Sequence, residues 1–381
     1  MKKVSQTNQT GAGQTTLQAS SPKTEVSSPQ TETSHLRTFA PIFVILAAIF
    51  WGILVVFVRA FGQAEFKAME IVTLRVYSSA IFSWIFLMIF GQISQRSATS
   101  KAKANTTPTA QTTRKTTSTT TRKTTTTTTR KTTTTQTATT KTTPPQARPR
   151  TFHLRDSWCF IGTGLVSIVF FSYCYFWNVE VSSAAVAAIL MYTSPIFVTL
   201  LSVIFFKEKI TKAKLVALVL AIIGCALVSG IAGGIGSTTP LGIALGLGSG
   251  IGYALYSIFG RFALDKGYSP FMVTAMTFTF ACVGVLPFID IARLATRLVN
   301  EPKYILLALL MGLIGSCTPF ALYTVGLRYM EASKAAILAT LEPIVTALVG
   351  TFLYKEPIDL FIITGIAMVL VAGILCSRSS K

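Results

Sequence analysis

Glu342 interrupts an otherwise apolar stretch at Leu341-Glu342-Pro343, and Arg75 is the other charge clearly embedded in such a stretch. Ionisable groups in an apolar, membrane-like setting are costly, so each is a functional candidate by default. Pro343 removes a backbone donor next to the acid and weakens a helix at that point. Glu342 has three open readings: proton carrier, direct substrate contact, or structural partner of Arg75. The Arg75 guanidinium is planar and bidentate, which suits a carboxylate or phosphate. Its long stem could equally let it snorkel to a membrane boundary. Trp51, Trp177, Tyr192, Tyr253 and Tyr256 offer aromatic walls with polar edges, the usual lining of a small-molecule pocket. Asn178 and Ser194 add hydrogen-bonding groups. For the five aromatics the competing account is packing, or membership of the aromatic belt at a membrane surface.

These residues sit in a sequence that repeats itself. Residues 175–228 align without a gap on 323–376, matching at Tyr175/Tyr323, Ala184/Ala332, Pro195/Pro343, Lys207/Lys355 and Glu208/Glu356, an offset of 148. Hydrophobicity alone would not place a proline and a Lys-Glu pair in register. Each copy holds two apolar runs of roughly twenty residues, enough to span a hydrocarbon core of about 30 Å. Apolar spans are expected near 39–60, 69–93, 157–178, 184–206, 213–231, 240–260, 269–290, 304–325, 333–354 and 358–376, which makes the fold class an all-α integral membrane protein of about ten helices. Trp51 aligns with Tyr253, and Arg59 with Arg261, at an offset of 202. The first half therefore carries 54 extra residues between its second and third spans.

Composition agrees with this. The chain has 381 residues, 51% of them hydrophobic and only 13% charged, with a mean hydropathy of +0.57, far from a soluble domain. A net charge of +20 would ordinarily suggest nucleic acid. Much of the excess lies in the extra segment, a Thr-rich stretch with Arg-Lys-Thr-Thr recurring at Arg114, Arg122 and Arg130, so no nucleic acid is expected. Such a segment cannot bury enough surface to fold alone. It is expected to be disordered over 94–156, a glycosylated stalk if external or a basic tether near anionic lipid if internal. The six cysteines lack metal-ligand spacing and both histidines lie outside the apolar spans, so no metal or other cofactor is expected. The glycines from Gly242 to Gly252 lack a preceding strand and a Lys-Ser/Thr, which leaves helix packing rather than phosphate binding. Ile291, Leu294 and Leu298 share one side of a short helix and Arg293 and Arg297 another, an expected surface anchor.

Lysines and arginines flanking membrane helices are retained on the cytoplasmic side. With the first residue inside, internal segments carry 27 of them and external segments 6; excluding the insertion, 14 and 6. Both termini are expected to be cytoplasmic. Five spans per half then invert the second half relative to the first, a construction common in secondary transporters.

The duplicated "SPIF…FFKEKIT" and "LEPI…YKEPI", the "FWG" of the first span, Arg75, and "GIGYALYSIFGR" resemble the EamA family of the drug/metabolite transporter superfamily over about residues 39–376, the insertion excepted. The resemblance implies two inverted five-helix halves: 39–93 with 157–231, and 240–376, between tails at 1–38 and 377–381. It further implies outward transport of a small metabolite, such as an amino acid or a related compound, across the inner or plasma membrane. The expected partners are that small-molecule substrate, the lipid bilayer and a proton for coupling. A multidrug or lipid-linked-compound exporter of the same fold is the alternative. A membrane-embedded enzyme is disfavoured by the shortage of intramembrane acids and histidines.

Overall fold

The computed structural model describes residues 29–104, 152–229 and 239–378, with side chains described outside 29–36 and 91–104. The helices are α1 (Pro29–Gln63), α2 (Ala68–Ala104), α3 (Leu154–Val181), α4 (Ala184–Phe206), α5 (Lys212–Val228), α6 (Pro240–Asp265), α7 (Pro270–Phe288), α8 (Ile291–Asn300), α9 (Lys303–Tyr329), α10 (Ala332–Tyr354) and α11 (Leu360–Arg378). Among the described residues, nine are long and apolar enough to cross a membrane. The 17-residue α5 is nearly as long, and it packs along α11. The protein is thus an all-helical, multi-pass membrane protein. Its outer surface is the expected apolar coat, with Ile81, Met88, Ile204, Leu306 and Phe352 among the exposed side chains.

The ends of the helices are set locally. Ser183, Thr211, Thr239, Ser269 and Asp290 each accept a hydrogen bond from the backbone N–H three residues on, which satisfies a donor that the first turn leaves orphaned. The turn after α1 puts Glu65 at φ 59°, and its counterpart at the offset of 202 is Gly267 at φ 92°. In both turns the next residue reaches back five positions, Phe66 N–H to the Phe61 carbonyl at 3.1 Å and Tyr268 N–H to that of Ala263 at 3.2 Å, a Schellman closure. The α4–α5 and α10–α11 turns match as well, with Lys207 at φ 55° and Lys355 at φ 61°.

The interiors repeat too. The third span of each half contains a π-helical stretch, Gly162–Val169 and Leu313–Cys317. The fourth is broken in both: Ala184–Met191 then Ser194–Phe206, and Ala332–Ala339 then Glu342–Tyr354, with Pro195 and Pro343 opening the second pieces. The halves interleave. Helix α1 packs on α9 and α10, and in the mirrored arrangement α6 packs on α3 and α4. Glycines permit the closest crossings. A Cβ on Gly252 would meet the Phe171 backbone at 3.1 Å, and one on Gly164 the Thr277 carbonyl oxygen at 2.4 Å. The glycines of α6 therefore serve helix packing.

Three boundaries differ from the sequence reading. The α1 backbone begins at Pro29, within the stretch read as a tail. The α2 backbone continues to Ala104, because the Gln, Ala, Lys and Arg that follow the apolar run are good helix formers with no Pro or Gly among them. Residues 152–156 also belong to the fold, with Asp156 buried and bonded by Lys266 at 2.8 Å and by the Tyr268 hydroxyl at 2.9 Å. The Thr-rich core of the insertion, 105–151, lies outside the described residues, as do 1–28. In α8 the arginines turn toward the protein rather than away from it. Arg297 donates to the Ala64 and Glu65 carbonyls and covers the Phe66 ring at 4.1 Å, while Arg293 pairs with Glu70 at 3.3 Å. The short helix thereby caps the α1–α2 turn.

Candidate functional site

A cavity of about 620 Å³ lies where the halves meet. It runs from Arg59, Ser229 and Glu356, on the face that carries the Lys355 turn, down to Glu342 and Arg75. Glu342 reaches it because the α10 break falls immediately before it, which makes the acid the first residue of the helical piece Glu342–Tyr354. A helix start offers N–H groups and the positive end of the helix dipole, both favourable to a carboxylate. The Tyr253 hydroxyl donates to Glu342 Oε2 at 3.2 Å, and Tyr192 interacts with the same carboxyl.

Arg75 points into the protein rather than snorkelling. Its Nη2 donates to Ser172 Oγ at 3.3 Å, and that hydroxyl donates in turn to the Ile168 carbonyl at 2.7 Å. Arg75 and Glu342 line one cavity without forming a direct ion pair among the described residues, so both keep capacity for a third group. Trp51 packs against three rings of the other half, Phe320 at 5.1 Å, Tyr323 at 5.4 Å and Tyr253 at 6.2 Å. Beneath them the Tyr256 and Thr324 hydroxyls lie 2.7 Å apart, as do those of Ser257 and Tyr323.

Six of the nine residues singled out in the sequence therefore gather here: Glu342, Arg75, Trp51, Tyr192, Tyr253 and Tyr256. Three do not. Trp177 turns to the outer surface of α3, against Tyr173 at 5.5 Å. The reason is helical phase, since Phe171, Ser172, Tyr175 and Val179 present the cavity face of α3 and Trp177 falls on the opposite side. Asn178 is fully buried beside Gly246, both amide atoms lacking a partner among the described residues. Ser194 is buried behind the break. Ser172, Tyr175 and Tyr323 line the cavity without having been singled out. The signal for the tyrosines was available, because they are themselves a matched pair of the repeat.

The face carrying the Lys207 turn is closed by a charged cluster. Glu208 Oε1 accepts from the Ala332 N–H at 2.8 Å, and its other oxygen accepts from the Ser333 N–H and hydroxyl. Lys214, nearly fully buried, lies 3.6 Å from Glu208 and 3.2 Å from Glu331, and donates to the Lys209 carbonyl at 3.0 Å. Partial burial works against ionisation of Glu331, yet Lys334 and Lys214 outweigh it and hold that carboxyl below the usual carboxylate range.

A cavity between inverted halves, closed on one face and holding separated opposite charges, is the arrangement expected of a membrane transporter. A profile described as EamA-like transporter family matches residues 138–230 and 240–378. The chain belongs to that family. An uncharacterized transporter of Archaeoglobus fulgidus is 31% identical over 203 residues, covering 52% of this chain and 68% of that protein. The Bacillus subtilis uncharacterized transporter YwfM is 24% identical over 237 residues, covering 61% and 78%. A solved crystal structure of a protein superposes with a TM-score of 0.62 at 11% identity, over 91% of this chain and 98% of that one, and shares the fold. The profile leaves α1 and α2 unmatched, yet both pack into the second half.

Proposed function

We propose that this EamA transporter exports a small polar metabolite, an amino acid or related compound, by alternating access, and that the substrate leaves chemically unchanged. The observation that carries the reading is the cavity containing Arg75 and Glu342 apart from one another, walled by aromatic rings. Arg75 would take a carboxylate as a bidentate partner. Glu342, held by Tyr253, would take an ammonium group or exchange it for a proton, which couples transport to a proton gradient. The termini are assigned to the cytoplasm and the cavity to the external face of the plasma membrane, following the distribution of Lys and Arg.

The test compares metabolites in medium and cytoplasm of cells with and without the overexpressed protein. A compound enriched outside and depleted inside supports export and identifies the substrate class. Uptake into vesicles then checks the coupling role. Glu342→Gln should retain folded protein and lose pH-driven uptake, whereas undiminished pH dependence removes that role. Competition by hydrophobic cations rather than amino acids would reassign the cavity to drug export, for which the aromatic walls offer cation–π contacts.

A further inference from the structure

The two membrane faces of the molecule contain the same parts in different arrangements. On the closed face, the corner between α9 and α10 is held at both ends. Arg261 Nη1 donates to the Leu327 and Met330 carbonyls at 3.1 and 2.9 Å. Glu208 accepts the Ala332 and Ser333 N–H groups at 2.8 and 3.4 Å. An arginine thus binds the end of one helix and a glutamate the start of the next, each satisfying backbone groups that a helix terminus leaves orphaned.

Repeat symmetry maps every member of this clamp onto the open face. Arg261 corresponds to Arg59, and Glu208 to Glu356. The Leu327 and Met330 carbonyls correspond to those of Val179 and Ser182, and Ala332 and Ser333 to Ala184 and Ala185. On that face the arginine and glutamate bind each other instead, with Arg59 Nη2 2.7 Å from Glu356 Oε1 and its guanidinium 4.4 Å above the Tyr354 ring. Val179, Ala184 and Ala185 border the cavity mouth.

A second difference explains how the glutamate can sit there. Gly350, buried in α10, would carry a Cβ only 2.2 Å from Glu356 Oε2, and the three atoms nearest that point all belong to Glu356. Its counterpart in the closed-face copy is Ser202, which has a Cβ. The glycine makes room for the folded-back carboxylate; the serine leaves its glutamate no such room.

We propose that Arg59 and Glu356 form a gate: in the opposite state their ion pair opens, Glu356 takes the Ala184 and Ala185 N–H groups, and Arg59 takes the carbonyl end of α3, while Arg261 and Glu208 release their corner. One clamp is closed at a time. This rests on the alternating-access reading and specifies the side chains that carry it.

The experiment places reporters at one pair of repeat-matched positions, Ala188→Cys on the cavity wall and Ala336→Cys, which is buried, each in the full chain with Cys282→Ser. Alkylation rates with a small hydrophilic maleimide are read from each face of sealed vesicles. Gly350→Ser pushes Glu356 off its folded-back position and should slow labelling at 188 and speed it at 336, by about fivefold or more, the range of an ordinary coupling between sites. Glu208→Gln loosens the other clamp and should speed labelling at 336 likewise. Wild-type protein that labels at both positions, with neither substitution shifting the balance, overturns the gate and leaves alternating access standing. No labelling at 336 in any variant, with folded protein confirmed by size exclusion, overturns the gate and alternating access together. Because only the tip of a flexible side chain opposes the new Cβ, Gly350→Ser is expected to fold.

Discussion

Gly52 marks a close approach between α1 and the broken helix α10. A Cβ built there would lie 2.5 Å from Val345 Cβ, 2.7 Å from its Cγ1 and 2.9 Å from the Glu342 carbonyl oxygen. Carbon atoms in contact prefer about 3.5–4.0 Å, so Gly52→Ala requires the helices to separate by about 1 Å, and the backbone at Glu342 cannot rotate out of the way as a side-chain tip could. Overpacking of this kind costs about 1–3 kcal/mol. Alanine recovers about 1 kcal/mol over glycine inside a helix, which leaves a net loss of up to about 2 kcal/mol. Gly260→Ala in α6 supplies the control. Its new Cβ would meet only Leu327 Cδ2 at 3.6 Å, an ordinary contact, so it keeps the helical gain. At about 2–4 °C per kcal/mol, the figure for soluble domains of 150–250 residues, the two variants should melt several degrees apart. The assay is thermal unfolding in detergent with a thiol-reactive fluorophore, reported by the buried Cys159, Cys174, Cys225, Cys317 and Cys376. Gly52→Ala melting at or above Gly260→Ala would refute the claim that backbone proximity fixes α1 against the acid-bearing break.

Arg75→Lys should keep the charge and lose the fork; at about 1.5–3 kcal/mol for a hydrogen bond to a charged group, the half-saturating substrate concentration should rise roughly tenfold to a hundredfold with expression unchanged. Lys214→Met removes the buried cation between Glu208 and Glu331. Because Glu331 is partly exposed, the full cost of breaking a buried pair is reduced to about 1–3 kcal/mol, read as a fall in melting temperature. The folded-state shift of Glu331 is downward, so its contribution is present above the ordinary carboxylate range and lost as pH falls through it. Wild-type melting should therefore drop below about pH 4, and Lys214→Met should show less of that drop. Deleting residues 106–148, which spares α2 to Ala104, should leave transport near wild type in vesicles, and loss of activity with normal insertion would assign the Thr-rich segment a direct role.

The spans were legible because twenty apolar residues in a row have few other uses, and the repeat was legible because Pro195/Pro343 and the Lys-Glu pairs are not interchangeable with other apolar choices. Boundaries failed where polar residues with helical propensity extend a span beyond its apolar run, as after Ile93. The π-helical stretches left no trace, since hydropathy records which residues are buried and not which carbonyl an N–H reaches. Site residues followed the same division. Glu342 and Arg75 were visible as costly charges. Trp177 was misplaced because a half-turn of phase separates it from the face of Tyr175. The clamp on the closed face was illegible, since Glu208 bonds to a helix start 124 residues away in sequence.

The matched turns at Lys207 and Lys355 have a consequence for reading such a protein at all. Two copies that enter the bilayer in opposite senses must each serve against the other's boundary, so a feature retained in both is indifferent to which boundary it faces. The left-handed turns, the π stretches and the broken fourth spans pass that filter. What differs between the copies, Glu342 against Ser194, Gly350 against Ser202, Trp51 against Tyr253, has been released from it. A duplicated and inverted chain is in this sense its own comparison set, in which one molecule separates the scaffold it must build twice from the work it does once.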